Sequence, residues 1–230
     1  MDSPIAVIGG NGRVGRLVVE KLLARGERVR VLGRSERGSR HRSEAEFFRA
    51  DVREPATLTA PLAGCSAVVY SVEPGTSDSG SDSPRATMYQ GVLNALEAAT
   101  AGGARPHFAL VSQIYVTRPE NSMNSYGRLL DWRLAGEDAV RAAGLPHTVV
   151  RPSWLTDRHA AGSAVRLEQG DTGDGKICRD DVAEAIVNAL YLPAGAGITF
   201  EIYNGSGSAG TDWSRLFGGL RRDEAPAAAR

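Results

Sequence analysis

The segment that most restricts the fold of this chain is its beginning. Pro4-Ile5-Ala6-Val7-Ile8 is an unbroken apolar run, and the glycine-rich stretch Gly9 to Gly15 (GGNGRVG) follows at once. A short apolar run bounded by glycine reads as a strand buried on both faces of a parallel sheet. Val14, Leu17, Val18 and Leu22 then mark one helical stripe, which stops at Arg25-Gly26. Val29 to Leu32 reads as the next strand. Gly9, Gly12 and Gly15 therefore form G-x-x-G-x-x-G inside a strand-helix-strand unit. Alone, three spaced glycines say little. In this context they allow backbone N–H groups and the helix N-terminus to approach a pyrophosphate that side chains would hold away. The cofactor-binding residues expected here are Gly9, Asn11, Gly12, Arg13, Val14 and Gly15. A tight turn that needs small residues for packing is the competing reading.

The rhythm continues. Phe47-Phe48 leads into Asp51, Ala67 to Tyr70 is strand-like, and residues 86 to 101 form an Ala-rich helix. His107 to Ser112 and His147 to Arg151 are further buried strands, flanking a helix from about Tyr126 to Ala143. Strands alternating with helices imply right-handed crossovers and an α/β, Rossmann-type, doubly wound parallel sheet. The expected organisation is one domain over residues 1 to 204, with 153 to 178 contributing to a substrate pocket. A tail over 205 to 230 holds a short helix near Trp213, Leu216 and Phe217, then a frayed end. The polar segment Glu73 to Pro84 (EPGTSDSGSDSP) follows a strand's C-terminal end, where ligands bind in such sheets, and reads equally as a surface loop or a substrate flap.

Composition narrows the classes. The 27 basic and 27 acidic residues cancel, against a dedicated nucleic-acid binder. No apolar run approaches the ~20 residues of a membrane span, and the N-terminus shows no charged leader with a cleavage site, so a cytoplasmic protein without membrane contact is expected. Cys65 and Cys178 are too few for a secreted disulfide scaffold. His41, His107, His147 and His159 lack metal-ligand spacing, and no metal is expected.

The end of the second strand selects the dinucleotide. A carboxylate there would hold the adenosine ribose hydroxyls and favour NAD. The sequence has Gly33-Arg34-Ser35 instead, with Arg13 nearby in the glycine loop. Guanidinium groups and a hydroxyl suit a 2′-phosphate, so NADP is expected over NAD. Asp51 and Val52 fall where an adenine ring meets the sheet edge; a helix cap is an equally ordinary role for Asp51.

With GGNGRVG, Ala50-Asp51-Val52 and GLPHTVVRPSWLTD (Gly144 to Asp157) in view, the chain resembles the atypical short-chain dehydrogenase/reductases. More narrowly, it is similar to the NAD(P)H-binding group that includes NmrA-like proteins and biliverdin-reductase-B-like flavin reductases, over residues 4 to 204. The resemblance implies that Tyr70, Ser71, Val72 and Ser112 line the ribose and nicotinamide of the cofactor. It implies that Pro152, Ser153 and Trp154 border the nicotinamide and the substrate. Asp180-Asp181 reads as a cap for the next helix.

Better-known members of that superfamily use a Tyr-x-x-x-Lys pair with an upstream Ser. The basic residues are 25 arginines and two lysines, and four positions before Lys21 and Lys176 stand Leu17 and Thr172. No Tyr-x-x-x-Lys pair exists. Two substitutes remain: Tyr126, whose lysine position is Leu130, and Arg133, four before Glu137. On one continuous helix Tyr126, Leu130, Arg133 and Glu137 would share a face, with Tyr126 and Arg133 ~10.5 Å apart along the axis. Arg133 could fix positive charge near the nicotinamide ribose or an oxyanion but would not titrate. Packing for Tyr126 and a solvated helix face for Arg133 are the plain alternatives. The catalytic candidates are thus Ser112, Tyr126 and Arg133, with Tyr115 and Trp154 in the substrate pocket.

The function expected is an NADP-dependent oxidoreductase acting on a small organic carbonyl, enone, quinone or flavin-like substrate. A dinucleotide-sensing regulatory protein and a non-redox cyclase or isomerase are the rivals. The oligomeric state stays open, a homodimer included.

Overall fold

A computed structural model describes residues 3–35, 44–75, 80–159, 163–207 and 210–224. The elements run β1 (Ile5–Ile8), α1 (Gly15–Ala24), β2 (Val29–Gly33), β3 (Glu46–Arg49), α2 (Ala56–Leu62), β4 (Ala67–Tyr70), α3 (Gly91–Thr100), β5 (His107–Val111), α4 (Leu129–Ala142), β6 (His147–Pro152), β7 (Trp154–Thr156), β8 (Ser163–Glu168), β9 (Lys176–Cys178), α5 (Arg179–Tyr191), β10 (Ile198–Ser206) and α6 (Trp213–Gly218). The main sheet has eight strands in the order β3-β2-β1-β4-β5-β6-β10-β8, all neighbours parallel except β10 with β8. β7 and β9 form a separate parallel pair. This is the doubly wound Rossmann-type α/β fold.

The alternation of side chains along each strand divides the core in two. Ile5, Val7, Val29, Val31, Val69 and Val150 face α1, α5 and α6. Ala6, Ile8, Leu32, Val68, Phe108 and Val149 face α2, α3 and α4. The apolar runs are continuous because both faces are covered.

Two predicted helices need correction. The Ala-rich segment starts with a π turn, Arg85–Gln90, before α3. A Cβ on Gly91 would lie 2.6 Å from the Tyr70 hydroxyl, and that hydroxyl donates to Thr87 O at 2.6 Å, so the widened turn offers its carbonyl to the sheet. The helix expected from Tyr126 begins only at Leu129, because Gly127 (φ 59°) and Arg128 (φ 58°) are left-handed and break the helical path. Tyr126 therefore does not share the face of Leu130, Arg133 and Glu137.

The C-terminal segment is part of the domain rather than an appendage. β10 crosses residue 204, and the expected short helix, α6, buries Trp213 and Phe217 against Phe200. Asp223 accepts from Thr199 N and Thr199 Oγ1 and contacts His147 Nε2 at 3.0 Å. Residues 225–230 and His41 lie outside the described residues. Asp180 and Asp181 sit in the first turn of α5, where Cys178 is the N-cap and no side chain caps; they bond to Lys21 and Asn204 instead.

His107 gives the fold a pH dependence. Burial, and secondarily the nearby His147, pushes its imidazole down to about 4 from 6.5. The Thr148 hydroxyl donates to Gly195 O, so it accepts from the neutral ring at 2.7 Å. The folded state holds this site unprotonated. Its contribution is therefore complete above pH 6.5 and falls as the pH drops towards 4. Urea titrations across that interval should show the decline, and His107→Gln should flatten it.

Candidate active site

The C-terminal edge of the sheet opens into a cleft of about 840 Å³. Its floor is the glycine loop. Gly9 has φ 79°, and a Cβ there would lie 2.2 Å from Ser71 O; on Gly15 it would lie 2.3 Å from Gly9 O, and on Gly12 3.0 Å from that same oxygen. Gly12 N donates to Gly9 O and Arg16 N to Gly12 O, which folds the loop directly into α1. No side chain caps α1 and its first turn carries no acidic residue, so its N–H end is not claimed by a carboxylate.

Of the residues singled out in the sequence, the cleft brings together Gly9, Asn11, Gly12, Arg13 and Val14 with Arg34, Ser35, Asp51 and Val52 at one end. Ser71 and Val72 line the middle. Ser112, Tyr115, Arg133, Pro152, Ser153 and Trp154 line the other end. Gly15 is buried beneath the loop that it shapes. Tyr126 is not brought in: it is 53% exposed and outside the cleft lining.

The end that holds Arg34 carries more charge than the β2 terminus alone suggests. Arg53, unremarked in the sequence, grips Asp51 through its backbone N (3.0 Å), Nε (2.8 Å) and Nη2 (2.5 Å). Those donors hold the Asp51 carboxyl below the usual carboxylate range. Asp51 does not cap α2; it orients Arg53. Asn11 Nδ2 donates to Ser35 O at 2.9 Å and ties the glycine loop to the loop after β2.

The opposite end is a set of buried donors. Arg133 is 4% exposed; its Nη2 donates to Glu73 at 2.6 Å, while Nε and Nη1 are buried without a partner. The hydroxyls of Ser112 and Ser153 are also buried and unpartnered. Such groups are costly unless a ligand satisfies them. These donors and the glycine cradle fit the ribose hydroxyls and phosphates of a dinucleotide. Glu73, at the start of the polar segment, has a side chain 73% exposed and is tied to the sheet edge through this ion pair.

Tyr115 (φ 73°) is held in its left-handed conformation by the buried Asp171, whose carboxylate accepts from Tyr115 N (2.6 Å), Thr117 N (2.9 Å) and Thr117 Oγ1 (2.9 Å). Its ring meets Trp154 edge-on at 6.4 Å, and Trp154 is 51% exposed at the mouth. Burial first, and then its hydrogen bond to Asp174, raises the Tyr115 phenol above its ordinary value. Among the described residues of the region 153 to 178, Ser153, Trp154 and Leu155 reach the cleft, joined by Arg179 just beyond it. Among the described residues, no group of three or more His, Cys, Asp or Glu side chains could hold a metal, and no helix is long and apolar enough to cross a membrane.

Residues 9–193 match the family model described as NAD(P)H-binding. The chain belongs to that family. It is 32% identical to the divinyl chlorophyllide a 8-vinyl-reductase of Zea mays, over 83% of this chain and 52% of that protein. It is 24% identical to the sanguinarine reductase of Eschscholzia californica, over 93% of this chain and 94% of the relative. A putative NAD-dependent epimerase/dehydratase from Bacillus halodurans superposes with a TM-score of 0.80 at 24% identity, covering 95% of this chain and all of that one, which shows the shared fold. The resemblance to the atypical short-chain reductases and the expectation of an enzyme stand with these matches. The expectation of a cytoplasmic protein does not, since relatives from Arabidopsis thaliana, Zea mays and Pisum sativum are chloroplastic.

Proposed function

We infer that the protein is an NADP-dependent oxidoreductase that moves hydride to or from a small organic carbonyl, enone, quinone or flavin-like substrate without a Tyr-x-x-x-Lys pair. The observation that carries this reading is the layout of one cleft. Arginines and a glycine cradle stand at one end, and partnerless buried donors with an exposed tryptophan at the other. Arg34 and Arg53 would take the 2′-phosphate, and the backbone of the glycine loop the pyrophosphate. Arg133 and Ser153 would orient the ribose beside the nicotinamide. When bound, the dinucleotide supplies the hydride.

The remaining work falls to Ser112 and the aromatic mouth. The Ser112 hydroxyl would donate to the acceptor's oxygen as negative charge builds on it. The Tyr115 phenol is already engaged in its hydrogen bond to Asp174, so it would serve as a wall with Trp154 rather than as the acid. With Tyr126 outside, a proton must come from water at the open mouth. That arrangement suits acceptors whose reduction demands little proton donation, quinones and activated enones above all.

Replacing Ser112 with alanine should lower kcat roughly 100-fold, the scale of losing one oxyanion-directed donor, with dinucleotide affinity nearly kept. An unchanged kcat against a quinone and enone panel would remove Ser112 from the chemistry. A dinucleotide-sensing protein would bind NADPH yet oxidise it with no member of the panel. A cyclase or isomerase would convert substrate with no change in the cofactor's absorbance.

A further inference from the structure

The arginine pair at the adenosine end is already bridged by a carboxylate of the chain itself. Asp82 Oδ1 accepts from Arg34 Nη1 at 3.1 Å and from Arg53 Nη1. Asp82 belongs to the polar segment after β4, far in sequence from both partners, and it lines the same cleft. Its position is set by the backbone. Gly75 N donates to Asp82 O at 2.7 Å, Ser83 N to Gly80 O at 3.2 Å and Thr87 N to Ser83 O at 3.1 Å. Ser83 is buried, which anchors the segment one residue beyond the carboxylate. Gly75 packs so closely on Asp82 that a Cβ there would lie 3.0 Å from both Asp82 Cβ and Asp82 O.

Arg53 is equally prepared. Asp51 holds its Nε and Nη2, so Nη1 is the arm left to face Asp82. Two guanidinium groups from β2 and the β3 end thus converge on one oxygen of one anion. A phosphate monoester offers three acceptor oxygens and close to two negative charges, a better match to that pair than a single carboxylate. Both anions cannot use the same N–H donors, and their like charges repel.

We propose that Asp82 is a displaceable internal anion that occupies the 2′-phosphate subsite between Arg34 and Arg53, so that binding of a 2′-phosphorylated nucleotide displaces Asp82 and breaks its backbone hydrogen bond with Gly75, whereas binding of its unphosphorylated counterpart does not. The proposal rests on the NADP reading above. It makes Asp82 a specificity-determining residue: it keeps the arginines arranged in the free protein and subtracts from the affinity of the phosphorylated ligand alone. The pairs are more than half exposed at Arg34 and Asp82, at 64% and 56% of their side chains, so the effect is modest. Exposed ion pairs of this kind correspond to roughly a 3- to 10-fold change in affinity.

The test is calorimetric titration of the full chain and its Asp82→Asn variant with 2′,5′-ADP and 5′-ADP. Asp82→Asn should bind 2′,5′-ADP about 3- to 10-fold more tightly and 5′-ADP with unchanged affinity. Equal tightening of both ligands, or no change in 2′,5′-ADP, would overturn the proposal. Weaker 5′-ADP binding in the variant would also overturn it, by making Asp82 a holder of the ribose hydroxyls. A measurement on the unmodified protein covers a variant that folds poorly. Hydrogen exchange at the Gly75 amide should accelerate with 2′,5′-ADP but not with 5′-ADP, and equal protection under both ligands would contradict displacement. If the unmodified chain does not prefer 2′,5′-ADP at all, the NADP reading itself fails; if it prefers it and Asp82→Asn changes nothing, only this inference fails.

Discussion

Replacing Gly9 with alanine is expected to cost about 2–4 kcal/mol of stability and to weaken dinucleotide binding by roughly 100-fold, since the new methyl meets backbone and not a movable side chain. The residue has φ 79°, and the added Cβ would lie 2.2 Å from Ser71 O and 2.8 Å from Ser71 C. Both loops are pinned: Gly9 N donates to Leu32 O and Ser71 N to Ile8 O, each at 2.9 Å. Relief therefore requires the β1 and β4 loops to part, which widens the floor where the pyrophosphate would lie. Gly26→Ala is the matched control. It carries the same left-handed conformation at φ 76°, yet nothing lies within 4 Å of its added Cβ. It should lose only about 1–2 kcal/mol and bind dinucleotide as before. Chemical denaturation and calorimetric titration of the two variants separate conformational strain from loss of the cradle. Equal binding by Gly9→Ala and Gly26→Ala would show that the close approach does not shape the site.

The second large effect lies directly under the cleft. Arg151 is buried between two buried carboxylates, meeting Glu137 through Nε (3.1 Å) and Nη2 (2.6 Å) and Glu201 through Nη1 (2.9 Å). Arg151→Met should destabilise the fold by about 3–5 kcal/mol at neutral pH, because it leaves buried Glu201 without a guanidinium and Glu137 with only the longer 3.3 Å contact to Arg141 Nη1. Burial already raises Glu201 above its ordinary 4.5, with Arg151 pulling the other way. Without the guanidinium that rise grows. A raised carboxyl stabilises the fold fully below pH 4.5, and this contribution is lost as the pH climbs through the folded value. The variant should therefore regain part of its deficit on acidification, and Glu137→Leu with Glu201→Leu added to Arg151→Met should restore much of the rest. A deficit independent of pH would mean that the carboxylates are not what the variant leaves exposed to the low dielectric. The consequence reaches the cleft because Glu137 stands one turn beyond Arg133 on α4, and Arg151 precedes Pro152 and Ser153 at the end of β6.

The sheet and the glycine loop were legible because each rests on local pattern. Continuous apolar runs mark strands covered on both faces, and Gly9, Gly12 and Gly15 mark a turn without room for side chains. Local pattern misleads where two left-handed residues redirect a helix. Gly127 and Arg128 adopt left-handed angles, so the spacing that seemed to align Tyr126 with Arg133 is not helical. Long-range pairs were beyond reach. Arg53 lies 29 residues from Asp82, Arg133 lies 60 from Glu73, and Tyr115 lies 56 from the Asp171 that fixes its backbone. Each pair is made by the sheet edge that gathers these loops. The arginine two places after Asp51 is the one sequence hint of a second guanidinium beside Arg34, and it carries that meaning only once β3 is known to pair with β2.

The central claim, a cleft arranged for NADP, is tested most directly by titrating NADPH and NADH in parallel into the unmodified protein and into Arg34→Ala/Arg53→Ala. The unmodified protein should bind NADPH more tightly by roughly 10- to 100-fold, the worth of charge-assisted bonds to one phosphate, and the double variant should bring the two affinities together. Equal affinities in the unmodified protein, or a preference for NADPH that survives the loss of both arginines, would contradict it.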